Sequence, residues 1–266
     1  MNDSEIILEV SGLKTYFYRG LMPVKAVDDV SFTVSKGRTL GIIGESGCGK
    51  SATAFSILRL LDGAARITGG SISFHGENLL EKSERAMEKI RGARIALVFQ
   101  EPRSALNPVY TIGAQIVEAL RLHTALSRKD ARARAIELLD LVKMPQPAAH
   151  IDSYPHRLSG GMRQRALIAL AISCEPELLI CDEPTTALDV TTQAQILDLL
   201  ADLRHKTQIT VMLISHDIGV IAEAADDVLV MRNGKVIEYA DVFTLFKNPR
   251  HPYTAELLAE AHRIDI

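Results

Sequence analysis

The 266-residue sequence has no tryptophan, only 5% aromatic residues and three cysteines. Cys48, Cys174 and Cys181 are odd in number and scattered, which argues against a disulfide framework or a cysteine-held metal cluster. The longest apolar run, ALIALAISC at 166–174, falls far short of the roughly 20 residues that span a bilayer. The opening MNDSE lacks the basic and apolar regions of a secretory signal. Net charge is −3 with 24% charged residues, so the basic surplus of a nucleic-acid binder is missing too. The one basic cluster, Arg128, Lys129, Arg132 and Arg134, is interspersed with Asp130 and Glu137 and reads as a solvated helix face. Repeats, low-complexity tracts and flexible linkers are also lacking. These absences predict a soluble cytoplasmic chain with no transmembrane segment and no nucleic-acid partner.

What the sequence does have is apolar material, 47% of its residues, enough for one large domain or two small ones. Residues 6–10 and 24–34 have strand character. TLGII at 39–43 is a short apolar run bounded by glycine, suited to a strand buried on both faces. IALVFQ, LLICD and ITVMLI read the same way. SATAFSILRLL at 51–61 has helical spacing and ends at Asp62-Gly63. Residues 67–79 suggest a hairpin, and 111–143 a helical stretch stopped by Pro145 and Pro147. Ser159 suits the N-cap of a helix over 160–173. Residues 191–205 form an amphipathic helix, 227–240 a hairpin turning on Asn233-Gly234, and a short helix follows Pro252. Buried strands alternating with helices predict an α/β fold, a mostly parallel sheet with helices on both faces. A helical subdomain is expected as an insertion at about 101–173, beside an antiparallel β subdomain. The main domain is expected over 6–250, with a helical tail at 251–266.

GESGCGKS at 44–51 matches G-x-x-x-x-G-K-[ST] and lies between a predicted buried strand and a predicted helix, the context that motif requires. Gly44, Gly47 and Gly49 let the backbone wrap closely, so the amides of Glu45, Ser46, Cys48 and their neighbours can surround phosphate oxygens. The helix N-terminus adds partial positive charge. Lys50 can reach β- and γ-phosphates, and Ser51 can ligate Mg²⁺. LLICDE at 178–183 supplies a complement. Its apolar run ends in carboxylates where ligands of open α/β sheets gather. Asp182 suits a Mg²⁺ role, and Glu183, on the alternate side, can polarise a water for attack on a γ-phosphate. Cys48 stands at a position the motif leaves free. We expect Cys48 to make the enzyme sensitive to thiol alkylation, with bound ATP protecting it.

The sequence resembles the ATP-binding-cassette (ABC) family. GESGCGKS, Gln100 at the end of IALVFQ, LSGGMRQR at 158–165, LLICDEP at 178–184, ALD at 187–189 and His216 in LISHD occur in the family's order. The resemblance implies a P-loop NTPase core and head-to-tail dimers that hold two ATP molecules at their interface. Each ATP would lie between the phosphate loop of one subunit and the LSGGMRQR segment of the other. It further implies that Gln100 contacts Mg²⁺ or the attacking water and senses a transmembrane partner. Asp182 would hold Mg²⁺, Glu183 would be the catalytic base, Asp189 would communicate across the dimer and His216 would contact the γ-phosphate. Ser159 and Gly161, with Gly160 between them, would approach the γ-phosphate of the opposite site, the glycines baring helix N–H groups toward the subunit surface. An aromatic would stack on adenine: Phe17, with Tyr16 as the alternative.

FQEPRSALNP at 99–108, DEPTTALDV at 182–190 and NPRHPYTAELL at 248–258 resemble the peptide/nickel importer branch. That resemblance implies an ATP-hydrolysing subunit powering import of dipeptides, oligopeptides or nickel chelates. It would sit at the cytoplasmic face of the membrane with two separate permease subunits and a second ATP-binding subunit, identical or paralogous. An extracellular substrate-binding protein would be an indirect partner. Some members carry a cysteine-rich iron–sulfur segment; none is expected here. The alternative is a soluble ABC ATPase acting on nucleic acid or ribosomes. Such proteins commonly carry two cassettes or a long coiled-coil insertion.

Overall fold

The computed structural model describes residues 5–18, 22–186 and 188–264. Ala187 of the ALD motif and the last two residues of the expected tail lie outside them. The chain divides into two compact units, one built from its two ends and one from residues 88–209.

The first unit begins with β1 (Ile6–Phe17) and β2 (Val24–Ser35), an antiparallel pair. The expected strand at 6–10 runs on to Phe17 because a register shift between Val10 and Leu13 absorbs the break, with the Gly12 amide donating to Ser31 Oγ at 2.8 Å. The buried strand β3 (Thr39–Ile43) runs through a loop into α1 (Lys50–Ile57). That helix stops short of the expected residue 61. Arg59 takes φ 53° and the Leu60 amide donates back to Phe55 O at 2.8 Å, a left-handed closure of the helix end. The Arg59 guanidinium then anchors to the carbonyls of Leu79 and Lys82. β4 (Ala65–Phe74) and the short β5 (Glu77–Asn78) complete an antiparallel sheet of order β2-β1-β4-β5, and α2 (Glu84–Glu88) follows.

The second unit has two parallel strands among its helices. β6 (Ile95–Val98) leads to α3 (Pro102–Ala105), α4 (Ile112–His123), α5 (Arg128–Leu141) and α6 (Pro147–His150). α7 (Gly160–Ala171), β7 (Leu178–Asp182) and α8 (Val190–Thr207) close the unit. The helical stretch expected over 111–143 is thus two helices. Thr124 ends the first, and Ser127 starts the second by accepting from the Asp130 amide at 3.2 Å. Ile116, Leu120, Ala131, Ala135, Leu138 and Ile168 are buried. The basic cluster lies outside that core. Arg132 pairs with Asp152, and Arg134 with Glu137 and Glu175. Exposed pairs of this kind are worth little, of order 0–1 kcal/mol.

The chain then returns to the first unit. β8 (Thr210–Ile214) pairs parallel with β3 on one side, and β9 (Asp227–Arg232) pairs parallel with β3 on the other, after α9 (Ile218–Ala224). β10 (Lys235–Asp241) folds back antiparallel through Asn233 and Gly234, both at positive φ as a two-residue hairpin turn requires. α10 (Val242–Lys247) and α11 (Pro252–Ile264) end the described chain. Parallel pairing of fully buried strands gives the α/β core, with the antiparallel sheet beside it in sequence. No helix among the described residues is long and apolar enough to cross a membrane.

Candidate active site

The phosphate loop is shaped by backbone contacts. A Cβ on Gly49 would sit 2.1 Å from Ala26 O, and one on Gly44 would sit 2.2 Å from Met231 O; both residues also have positive φ. Only glycine fits where strands approach so closely. The hairpin turn braces the loop, with the Gly234 amide donating to Cys48 O at 2.9 Å. Gly49 also begins α1 and provides no side-chain cap. A helix N-terminus with no side chain of its own over it is the arrangement that favours an anion. Lys50 is buried, and its Nζ donates to Gly44 O at 2.6 Å and Glu45 O at 3.0 Å. Those loop carbonyls solvate the ammonium. Phosphate oxygens can take their place without moving the lysine out of the loop. Cys48 is buried beside it, and burial pushes its thiol above the ordinary value. This counts against the expected sensitivity to alkylation, because the nucleophile is the thiolate and it is both disfavoured and covered.

The second unit gathers side-chain chemistry at strand ends. β6 and β7 run parallel with Val98 opposite Cys181, so Gln100 and the Asp182-Glu183 pair emerge from neighbouring strand ends. Asp182 is buried. Glu183 has φ 45°, a left-handed conformation rare for a side chain of this size. Its Oε2 accepts from Gln100 Nε2 at 2.8 Å and from Thr186 Oγ1 at 2.9 Å. The carboxylate is thus aimed by two donors, one of them from a residue the motif reading had not assigned. A cleft of about 370 Å³ opens beside them, lined by Gln100, Pro102, Gly160, Arg163 and Thr186.

The sequence model of the ABC transporter family matches residues 27–186. The chain belongs to the ABC transporter family. It is 51% identical over 260 residues to an oligopeptide transport ATP-binding protein of Bacillus subtilis, covering 97% of this chain and 79% of the relative. It is 46% identical over 252 residues to a dipeptide transport ATP-binding protein of Escherichia coli, covering 95% and 77%. Its fold superposes at a TM-score of 0.80, with 26% identity, on a dimeric ATP-binding cassette in a post-hydrolysis state bound to ADP and Pi. That match covers 89% of this chain and 99% of the other. As an ABC transporter subunit of this type, the chain binds and hydrolyses ATP.

The remaining family positions fall into place unevenly. His216 is exposed two residues beyond β8, whose Ile214 lies opposite Ile42 near the end of β3. The phosphate loop and His216 therefore leave adjacent parallel strands at the same end. Ser159 caps α7, accepting from the Met162 amide at 3.3 Å. Asp189 caps α8 through the Thr192 amide at 2.9 Å and the Thr192 hydroxyl at 2.8 Å. These bonds hold its carboxyl below the usual range. The two capped ends meet. A Cβ on Gly160 would lie 3.4 Å from Leu188 Cδ2, and one on Gly161 would lie 2.6 Å from Thr192 Cγ2. Gly161 is therefore also packed closely against α8, where an added side chain would meet Thr192. Phe17 ends β1, half-buried and paired with Val24 and Ala65. Tyr16 is already engaged. Its hydroxyl donates to Asp28 at 2.8 Å and the Lys25 ammonium lies 5.4 Å from its ring centroid.

Sequence reading missed Thr186 and Tyr253. The run Thr185-Thr186 after the carboxylates was a signal for the first, since a hydroxyl three residues on can turn back to a strand-end acid. Tyr253 lies in the quoted NPRHPYT, but nothing in that stretch says what it reaches.

Proposed function

We propose that this chain closes head-to-tail against a second ATP-binding subunit and so drives import of dipeptides or oligopeptides through separate membrane permeases. What supports the substrate class is the identity, across nearly the whole chain, to relatives whose names specify oligopeptide and dipeptide transport. Peptide is preferred over nickel chelates on that ground. Transport relatives also set aside the soluble ABC ATPase acting on nucleic acid or ribosomes. The second subunit is identical or paralogous, and the subunit works at the cytoplasmic face of the membrane, fed indirectly by an extracellular substrate-binding protein.

In this reading the amides of residues 44–51 and Lys50 hold the ATP phosphates. Ser51, Asp182 and Gln100 would hold Mg²⁺. Among the described residues no group of three or more His, Cys, Asp or Glu could cage a metal. A hydroxyl, one buried carboxylate and an amide oxygen suit a hard cation bound mainly by phosphates and water. When bound, that cation neutralises charge on the phosphates. Glu183, aimed by Gln100 and Thr186, takes the proton of the attacking water, while His216 steadies the γ-phosphate. Because Gln100 also senses the permease in this reading, its bond to Glu183 ties readiness for hydrolysis to the state of the membrane partner. Ser159, Gly160 and Gly161 complete the site of the opposite subunit, and Asp189 carries information between the two. Phe17, or Tyr16 beside it, stacks on adenine.

The test is reconstitution of the subunit with its permeases in liposomes and measurement of ATPase activity as peptide-loaded binding protein is added. Peptide-dependent stimulation is the expected result. Stimulation by nickel chelate alone would replace the substrate class, and no response to any loaded binding protein would remove the import reading.

A further inference from the structure

The C-terminal segment NPRHPYT stands outside every role assigned so far, yet it reaches the nucleotide loop. Tyr253 is 4% exposed, and its hydroxyl oxygen accepts from the Glu45 amide at 3.4 Å. Glu45 is the second residue of the phosphate loop, and its carbonyl is one of the two that hold Lys50. The peptide units flanking this residue are therefore held by Tyr253 on one side and by the phosphate-binding lysine on the other.

Tyr253 is itself fixed from two directions. The Arg232 guanidinium lies 4.3 Å from its ring centroid, at the end of the strand whose Met231 carbonyl crowds Gly44. The Glu238 carboxylate accepts from the Arg250 amide at 2.8 Å and the His251 amide at 3.0 Å, pinning the start of α11 to β10. Burial disfavours the charge of Glu238, but these hydrogen bonds outweigh it and hold the carboxyl below its usual range. The His251 ring adds a further bond, its Nδ1 accepting from the Tyr253 amide at 3.1 Å. A latched segment thus delivers one hydroxyl to one loop amide.

We propose that Tyr253 is a positioning residue for the phosphate loop, so that docking of the 249–254 segment and nucleotide affinity are coupled. The hydroxyl keeps the Glu45 peptide oriented when Lys50 turns from its carbonyl toward phosphate. By linkage, nucleotide in the loop must in turn tighten the docking of the segment.

The test uses the full chain, Tyr253→Phe and mant-ADP. Phenylalanine keeps the ring, its burial and the Arg232 contact, and removes only the hydroxyl. The expected change is roughly three- to tenfold weaker mant-ADP binding, the scale of one neutral hydrogen bond, expressed in KM for ATP more than in kcat. Hydrogen exchange gives a readout that a merely structural tyrosine would not move. Bound nucleotide should slow exchange at the first amides of α11 in the parent chain and do so much less in Tyr253→Phe. Glu238→Gln, which loosens the latch without touching the loop, should weaken binding in the same direction. Equal mant-ADP affinity in parent and Tyr253→Phe, or nucleotide protection of α11 that persists in the variant, overturns the proposal.

Discussion

The N-terminus of α1 and those of α7 and α8 are built in opposite ways. α1 begins at Gly49, which has no side chain, so no side chain caps it. α7 and α8 begin at Ser159 and Asp189, whose side chains accept from their own helices. Thr111 and Ser127 do the same for α4 and α5. An end that satisfies itself contributes to folding. An end without a side-chain cap suits an anion, and here the backbone is held by close approaches at Gly44 and Gly49. At the phosphate loop, the first unit therefore offers mainly backbone and a lysine. The second offers oriented side chains: Glu183 under two donors, and two capped helix ends packed together at Gly161 and Thr192.

The largest effect belongs to the side-chain half. Glu183→Gln should lower turnover by about 10²–10⁴-fold, the usual contribution of a general base, while nucleotide binding at the backbone loop persists; steady-state ATPase and binding assays separate the two. Next comes the contact between the capped ends. Gly161→Ala drives a methyl against Thr192 and should cost about 1–3 kcal/mol in chemical denaturation. Thr192→Ser removes the opposing methyl but keeps the hydroxyl on Asp189, so the double variant should recover most of that loss. No recovery would mean that the loss arises elsewhere than at the Gly161–Thr192 contact.

A smaller effect separates a charged cap from a bare end. Hydrogen bonds from Thr192 lower the Asp189 pKa beneath its ordinary 3.8. A carboxyl with a lowered folded pKa contributes stability that is present above the unfolded value and is lost as pH falls through the folded one. The thermal midpoint should drop on acidification below 3.8, and Asp189→Asn should flatten that acid limb. Smallest is the thiol in the loop. Maleimide should modify the half-exposed Cys174 before the buried Cys48, as read by peptide mapping; fast labelling of Cys48 would mean a loop more open than the backbone contacts allow.

Local features were legible in the sequence and distant ones were not. The phosphate loop, the Asn233-Gly234 turn and the Ser159 cap depend on residues next to one another, so spacing alone finds them. The Gln100–Glu183 bond spans 83 positions and exists only because β6 and β7 pair in one register. The close packing of Gly161 escaped because its neighbour, Thr192, sits on another helix. Tyr253 meets Glu45 across 208 positions, a separation no motif encodes. The early end of α1 escaped because helical spacing continues through Leu61, while the Arg59 backbone and its guanidinium anchors stop the helix. Family resemblance supplied roles that composition could not, above all those of Ser159 and Asp189, whose chemistry within one subunit is only capping.

The claim that α7 finishes the site of another subunit is tested most directly by sedimentation of Glu183→Gln with ATP and Mg²⁺, alone and combined with Ser159→Ala. The expected result is a nucleotide-loaded dimer for Glu183→Gln that falls back to nucleotide-bound monomer when Ser159 is also replaced. A dimer of equal stability in the double variant, or normal turnover in Glu183→Gln, would contradict it.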